Sequence, residues 1–125
     1  MLKYIEQKSG HSDDGPAWIG RVKVSKSGRT VYFNGRAFKR AGGGLVSGNH
    51  VDAETGEEYW ISGIKKDGRD RHWAGSGKIT IEAAAVAEYL DLIGAKELDR
   101  TKFVISDAIL PADPARFVEL ENRKR

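Results

Sequence analysis

From residue 17 the chain begins to alternate between apolar and polar side chains. AWIGRVKV (17–24) does so, SKSG interrupts it, and RTVYFNGRAF (29–38) alternates again. Centring the turn on Ser27-Gly28 sets Val24 against Val31 and Val22 against Phe33, which gathers four apolar residues on one face of a hairpin. The reverse face then carries Arg21, Lys23, Ser25, Thr30, Tyr32, Asn34 and Arg36. A slip of one residue would mix the two sets, so the alternation itself fixes the register.

AGGGLVSG (41–48) reads as a flexible connection or a bulged corner. Two further hairpins are expected to share a strand: Thr55-Gly56 turns residues 49–53 into 57–65, and Asp67-Gly68 turns that strand into 69–74. In this arrangement Val51 faces Trp60, Ile64 faces Arg71 and Ser62 faces Trp73. Val51, Trp60, Ile64 and Trp73 then form the core side. His50, Asp52, Tyr59, Ile61, Gly63, Lys65, Asp70 and His72 occupy the other face. KITI (78–81) is expected to form one more strand.

Residues 82–93 have the helical pattern, with alanines in the first turn, Val86, Leu90 and Ile93 on one stripe, and Gly94 suited to a left-handed stop. KFVIS (102–106) reads as a short strand. Asp113 resembles an N-cap with Pro114 at the first helical position, so 115–122 forms a short helix or, alternatively, a strand. Residues 1–16 read as a lead-in arm and loop, and the last five residues as a frayed tail. The expected product is a single α+β domain over 1–125. Residues 17–81 form a small curled antiparallel sheet or partly open barrel of five to six short strands. Residues 82–93 form the main packed helix, 102–106 a further strand, and 113–125 a short C-terminal helix or tail.

Composition agrees with one polar globular domain: 125 residues, 39% hydrophobic, 31% charged and 15 glycines. The chain has no cysteine, which excludes disulfides, thiolate metal sites and cysteine nucleophiles, and which fits a cytoplasmic setting. Neither a signal-peptide pattern nor a membrane-length apolar run is present, so no membrane partner is expected. The formal charge of +3 permits an anionic partner without requiring one.

RDRHWAGSGK (69–78) invites comparison with a phosphate loop, and its spacing fails. A Walker-type loop that ends in Gly77-Lys78 needs glycine where His72 stands, a hydroxyl where Ile79 stands, and a helix where a strand follows. His50 and His72 fall on one face but about 12 Å apart on a flat sheet, too far to share a zinc ion. No metal or cofactor is therefore expected. The HSDD cluster at His11, Asp13 and Asp14 is explained as turn chemistry, and so are Asp52, Glu54, Glu57 and Glu58 around Thr55-Gly56.

Three functional readings remain. The first is a non-enzymatic macromolecule-binding module, an adaptor, regulator or immunity-type protein, with a protein partner slightly preferred over nucleic acid. The second is a module for single-stranded nucleic acid. Its binding residues would be Arg21, Lys23, Tyr32, Arg36, Arg71 and Lys78, because exposed β-faces that mix cations with an aromatic hold phosphates and stack bases. The third is a small metal-independent nuclease. In it His72 would be general acid/base, Tyr59 or Asp70 would orient it, and Arg71 or Lys78 would stabilise phosphate charge.

The run SKSGRTVYFNG, DAETGEEYWISG and DRHWAGSGKI resembles a family of small bacterial proteins without an assigned activity, over about residues 10–90. Some of its members carry the name of 1-deoxyxylulose-5-phosphate synthase, a thiamine diphosphate enzyme. This chain is far too short for that enzyme's cofactor-binding domains and has no GDG…N motif. The resemblance implies a bacterial, cytoplasmic single domain and assigns no site residues.

Overall fold

The computed structural model describes residues 1–8, 15–45, 48–67 and 77–117. Among them are nine strands: β1 (Leu2–Gln7), β2 (Ala17–Arg21), β3 (Lys23–Val24), β4 (Thr30–Phe33), β5 (Arg36–Arg40), β6 (His50–Asp52), β7 (Glu58–Ser62), β8 (Ile79–Glu82) and β9 (Phe103–Ser106). Helix α1 (Val86–Ile93) follows a 3₁₀ turn at Ala83–Ala85, and a second 3₁₀ turn spans Pro114–Phe117. The strands form one sheet in the order β3-β4-β5-β6-β7-β1-β2-β8-β9. The α+β class stands, but the sheet has more strands than the five to six expected, and it is mixed rather than antiparallel.

Two local causes account for the difference. LKYIEQ, expected to lie in an arm, is β1, an interior strand paired with both β2 and β7. It does not alternate because both its faces are buried, with Leu2 and Tyr4 on one side and Ile5 on the other. KITI and KFVIS are parallel neighbours because α1 connects them. A parallel pair needs such a crossover, and β8–α1–β9 is a βαβ unit.

The first hairpin has the expected register, Val24 opposite Val31 and Lys23 opposite Tyr32. The strand does not run on to Phe38, however. Asn34 and Gly35 both have positive φ, 51° and 71°, and Phe33 pairs with Arg36 across them. This is the geometry of a two-residue type I′ turn, which Asn-Gly favours. Its consequence is a change of face. Arg36 lies on the Phe33 side, whereas Tyr32 shares its side with Ala37.

At the second hairpin His50 pairs with Tyr59 and Val51 with Glu58, two residues away from the expected Val51–Trp60 match. The inside and outside are also exchanged. His50, Asp52, Tyr59 and Ile61 are buried, and Trp60 is 41% exposed. The sheet curls towards the His50 side, where partners satisfy the polar groups. Asp52 accepts from Arg36 Nη1 (2.7 Å) and from the turn N–H groups of Glu54 (2.8 Å) and Thr55 (3.2 Å). The expected turn at Asp67-Gly68 and the strand 69–74 lie outside the described residues.

Only Val22 separates β2 from β3, yet the sheet order places β3 at one edge and β2 near the other. The wall from β3 round to β2 therefore returns to the same stretch of chain, as in a barrel. Ile5, Val22, Val31, Phe33, Phe38, Tyr59 and Ile61 fill its concave side. A second core forms on the outer face of β1 and β2, where Tyr4 and Ile19 meet Ile79 and Ile81 of β8, Tyr89 of α1 and Phe103 of β9. Phe117, from the second 3₁₀ turn, caps Tyr32 and Ala37 on the outside of β4 and β5.

In α1 the buried side chain is Tyr89, with Val86 and Ile93 packing beside it, and Gly94 ends the helix at φ 70°. The N-cap at Asp113 is present, its Oδ1 accepting from Ala115 N at 3.0 Å. Residues beyond Phe117, where the rest of that helix was expected, lie outside the described residues. No helix among the described residues is long and apolar enough to cross a membrane.

Candidate functional site

Between the first hairpin and the segment that follows β9 lies an open cleft of about 280 Å³. Arg21, Lys23, Tyr32, Asn34, Glu82 and Leu110 are among its lining residues. The chain from Ile109 to Ala112 forms one wall. It is fastened to the Asn34-Gly35 turn by Leu110 N–H, which donates to Asn34 Oδ1 at 3.0 Å. Left-handed Asn34 thus both makes the turn and holds the wall.

The cations on the rim are not equivalent. Arg21 is held twice: its backbone N–H donates to Glu82 Oε1 (2.9 Å) and its Nε to Glu88 Oε1 (3.2 Å). Lys23 is exposed and has no ion-pair partner among the described residues. Opposite these polar groups, Leu110 is 61% exposed. The cleft therefore offers a fixed guanidinium, a free ammonium and an apolar side chain on one open surface.

The other candidates lie apart. Tyr32 lines the cleft but is only 6% exposed, and its ring packs on Phe117 with centroids 5.8 Å apart. A base cannot stack on a ring so covered. Arg36, expected beside Tyr32, is instead on the opposite face in an ion pair with Asp52, whose hydrogen bond raises the guanidinium pKa further above its ordinary value. Lys78 is exposed just before β8. Tyr59 is buried against Phe38, ring centroids 4.5 Å apart, and burial pushes its phenol up, with Arg36 opposing the shift. Asp70, Arg71 and His72, and with them the cluster His11, Asp13 and Asp14, lie outside the described residues. Among the described residues no group of three His, Asp or Glu side chains could hold a metal ion.

The face carrying His50, Asp52 and Tyr59 is the concave one, and its middle is filled by Ile5, Phe38 and Ile61. Polar side chains survive at its ends. One end holds the Arg36–Asp52 pair. The other holds His50, whose Nδ1 lies 2.8 Å from Asn49 Oδ1. The pairing of Leu110 with Asn34 had no sequence signal, because it joins segments far apart in the chain. Comparison with family models, with curated proteins and with solved structures finds no match for this chain.

Proposed function

We propose that the protein is a non-enzymatic binding module that takes a segment of a protein partner in the cleft between its first hairpin and residues 109–112. The observation that carries this reading is the pairing of the free Lys23 ammonium with the exposed Leu110 side chain on one open surface. A complementary segment would place an acidic residue at Lys23 and an apolar residue over Leu110. Apolar anchors ringed by polar contacts are how compact interfaces concentrate their affinity. The covered ring of Tyr32 favours a protein over single-stranded nucleic acid, because it removes the stacking platform that the nucleic-acid reading needs.

The test is affinity capture with the wild-type chain and with a Lys23→Glu/Leu110→Asp variant, each with and without nuclease digestion. Both substituted side chains are exposed, so the variant should keep its fold. A specific protein held by the wild type after digestion, and lost by the variant, supports the reading. Equal recovery by the variant, or recovery that vanishes with nuclease, overturns it.

A further inference from the structure

Two residues along β5 and β6 from the Phe38–Asp52 register pair, Arg40 and His50 stand directly opposite each other. Lys3 lies on the same concave side by alternation, because its neighbour-but-one Ile5 is in the barrel core. One step beyond the Tyr4–Ser62 pair, Gly63 leaves open space beside it. Lys8, Arg21 and Arg36 each meet a carboxylate, but neither Lys3 nor Arg40 does so among the described residues.

His50 is held in one tautomer. The amide of Asn49 is pinned by the backbone of Ile61: Nδ2 donates to the Ile61 carbonyl at 2.8 Å, and Oδ1 accepts from Ile61 N–H at 2.8 Å. With Oδ1 thus assigned as an acceptor, His50 Nδ1 must carry the proton that bridges the 2.8 Å to it. The lone pair of neutral His50 is then on Nε2, which has no hydrogen-bond partner among the described residues. Burial, then Arg40, then Lys3 hold the imidazole pKa down at about 4. Tyr59 stands directly across on β7, but the charges acting on its phenol are Arg36, Asp52 and Glu57 at the other end, and burial raises its pKa, so it adds no charge beside the imidazole.

We propose that Lys3, Arg40 and His50 form a binding site for a small tetrahedral oxyanion of the phosphate class. Two cations that meet no carboxylate among the described residues repel a metal ion and attract an anion. A bound dianion would offset both charges that oppose protonation of His50. Nε2 would then gain a proton and become a third donor to the anion. The site stands apart from the cleft and does not depend on the function proposed for it.

The experiment follows the His50 ring nitrogens by long-range proton–nitrogen NMR between pH 4 and 7. Sodium sulfate is compared with sodium chloride at equal ionic strength. Sulfate stays a dianion across that range, so changes report on the protein. The expected result is a saturable sulfate-specific shift at Nε2, with the His50 midpoint raised by about one pH unit. Lys3→Ala and Arg40→Ala, tested singly, should each weaken the response about tenfold while leaving the amide spectrum folded, since charge-assisted contacts are lost. Inorganic phosphate and adenosine monophosphate then separate the sources: equal binding indicates the free ion, and tighter binding of the nucleotide indicates a phosphate ester. A sulfate response no larger than that to chloride, or one that persists in both single variants, overturns the site.

Discussion

Replacing Asp52 should expose how the curled sheet is held at its Arg36 end. The carboxylate is fully buried and makes three contacts: Arg36 Nη1 at 2.7 Å, Glu54 N–H at 2.8 Å and Thr55 N–H at 3.2 Å. The two turn N–H groups each lose a bond to a charged acceptor in Asp52→Ala, about 1 kcal/mol apiece. Arg36 is 44% exposed on its side chain, so water can replace part of its bond, and that contact adds only about 1 kcal/mol. Asp52→Ala should therefore cost about 3 kcal/mol, or a fall in Tm of roughly 10 °C for a domain of this size. Asp52→Asn keeps an acceptor for the turn and loses only the charge, so it should cost about 1 kcal/mol. Urea denaturation followed by circular dichroism at pH 7 gives both values. Two outcomes would refute the reasoning. If Asp52→Ala costs under 1 kcal/mol, the turn does not rely on this carboxylate. If Asp52→Asn is as damaging as Asp52→Ala, charge pairing outweighs the turn bonds.

Two further outcomes follow from the packing. A methyl group at Gly20 would stand 2.3 Å from Phe33 Cε1, so Gly20→Ala should destabilise the protein by about 2 kcal/mol. Adding Phe33→Leu should recover part of that loss in thermal denaturation. His50 sets a pH dependence: its folded pKa of about 4 lies below the ordinary 6.5, so between those values the unfolded chain binds more protons. Its contribution is intact above pH 6.5 and is lost as pH falls to 4, by up to about 3 kcal/mol in chloride buffers. His50→Gln should flatten that part of the pH–stability profile measured by urea midpoints. A profile unchanged by the substitution would assign the slope to other groups.

What could be read from the sequence depended on whether neighbours in the chain decide the answer. Val24 against Val31 was legible because the Ser27-Gly28 turn and the alternation agree. The Asn34-Gly35 turn was also written in the chain. The apolar positions change phase there, from odd at Val31 and Phe33 to even at Phe38, and a continuous strand cannot do that. The choice of face at Trp60 was not legible, because Tyr59 and Ile61 on one side and Trp60 on the other are comparably apolar. Partners remote in sequence, Arg36 for Asp52 and Ile5 beside Ile61, break the tie. The candidate sites follow the same rule. Arg21, Lys23 and Tyr32 were found near one another because one hairpin carries them, whereas Leu110 and the Lys3–Arg40–His50 group are assembled only by the fold.

The interior position of β1 has a bearing on the order in which the molecule assembles. Ile5 must wait for Ile61, while Ala17 and Ile19 must wait for Ile79 and Ile81. The hairpins at Ser27-Gly28, Asn34-Gly35 and Thr55-Gly56 can each form from local chain alone. High contact order slows folding, since loop-closure entropy is lost before the distant contacts repay it. Although β1 precedes these hairpins in the chain, it is thus among the last strands to find both neighbours. Until then its two apolar faces are open to other chains, which makes β1 the segment whose exposure during synthesis a chaperone would most need to cover.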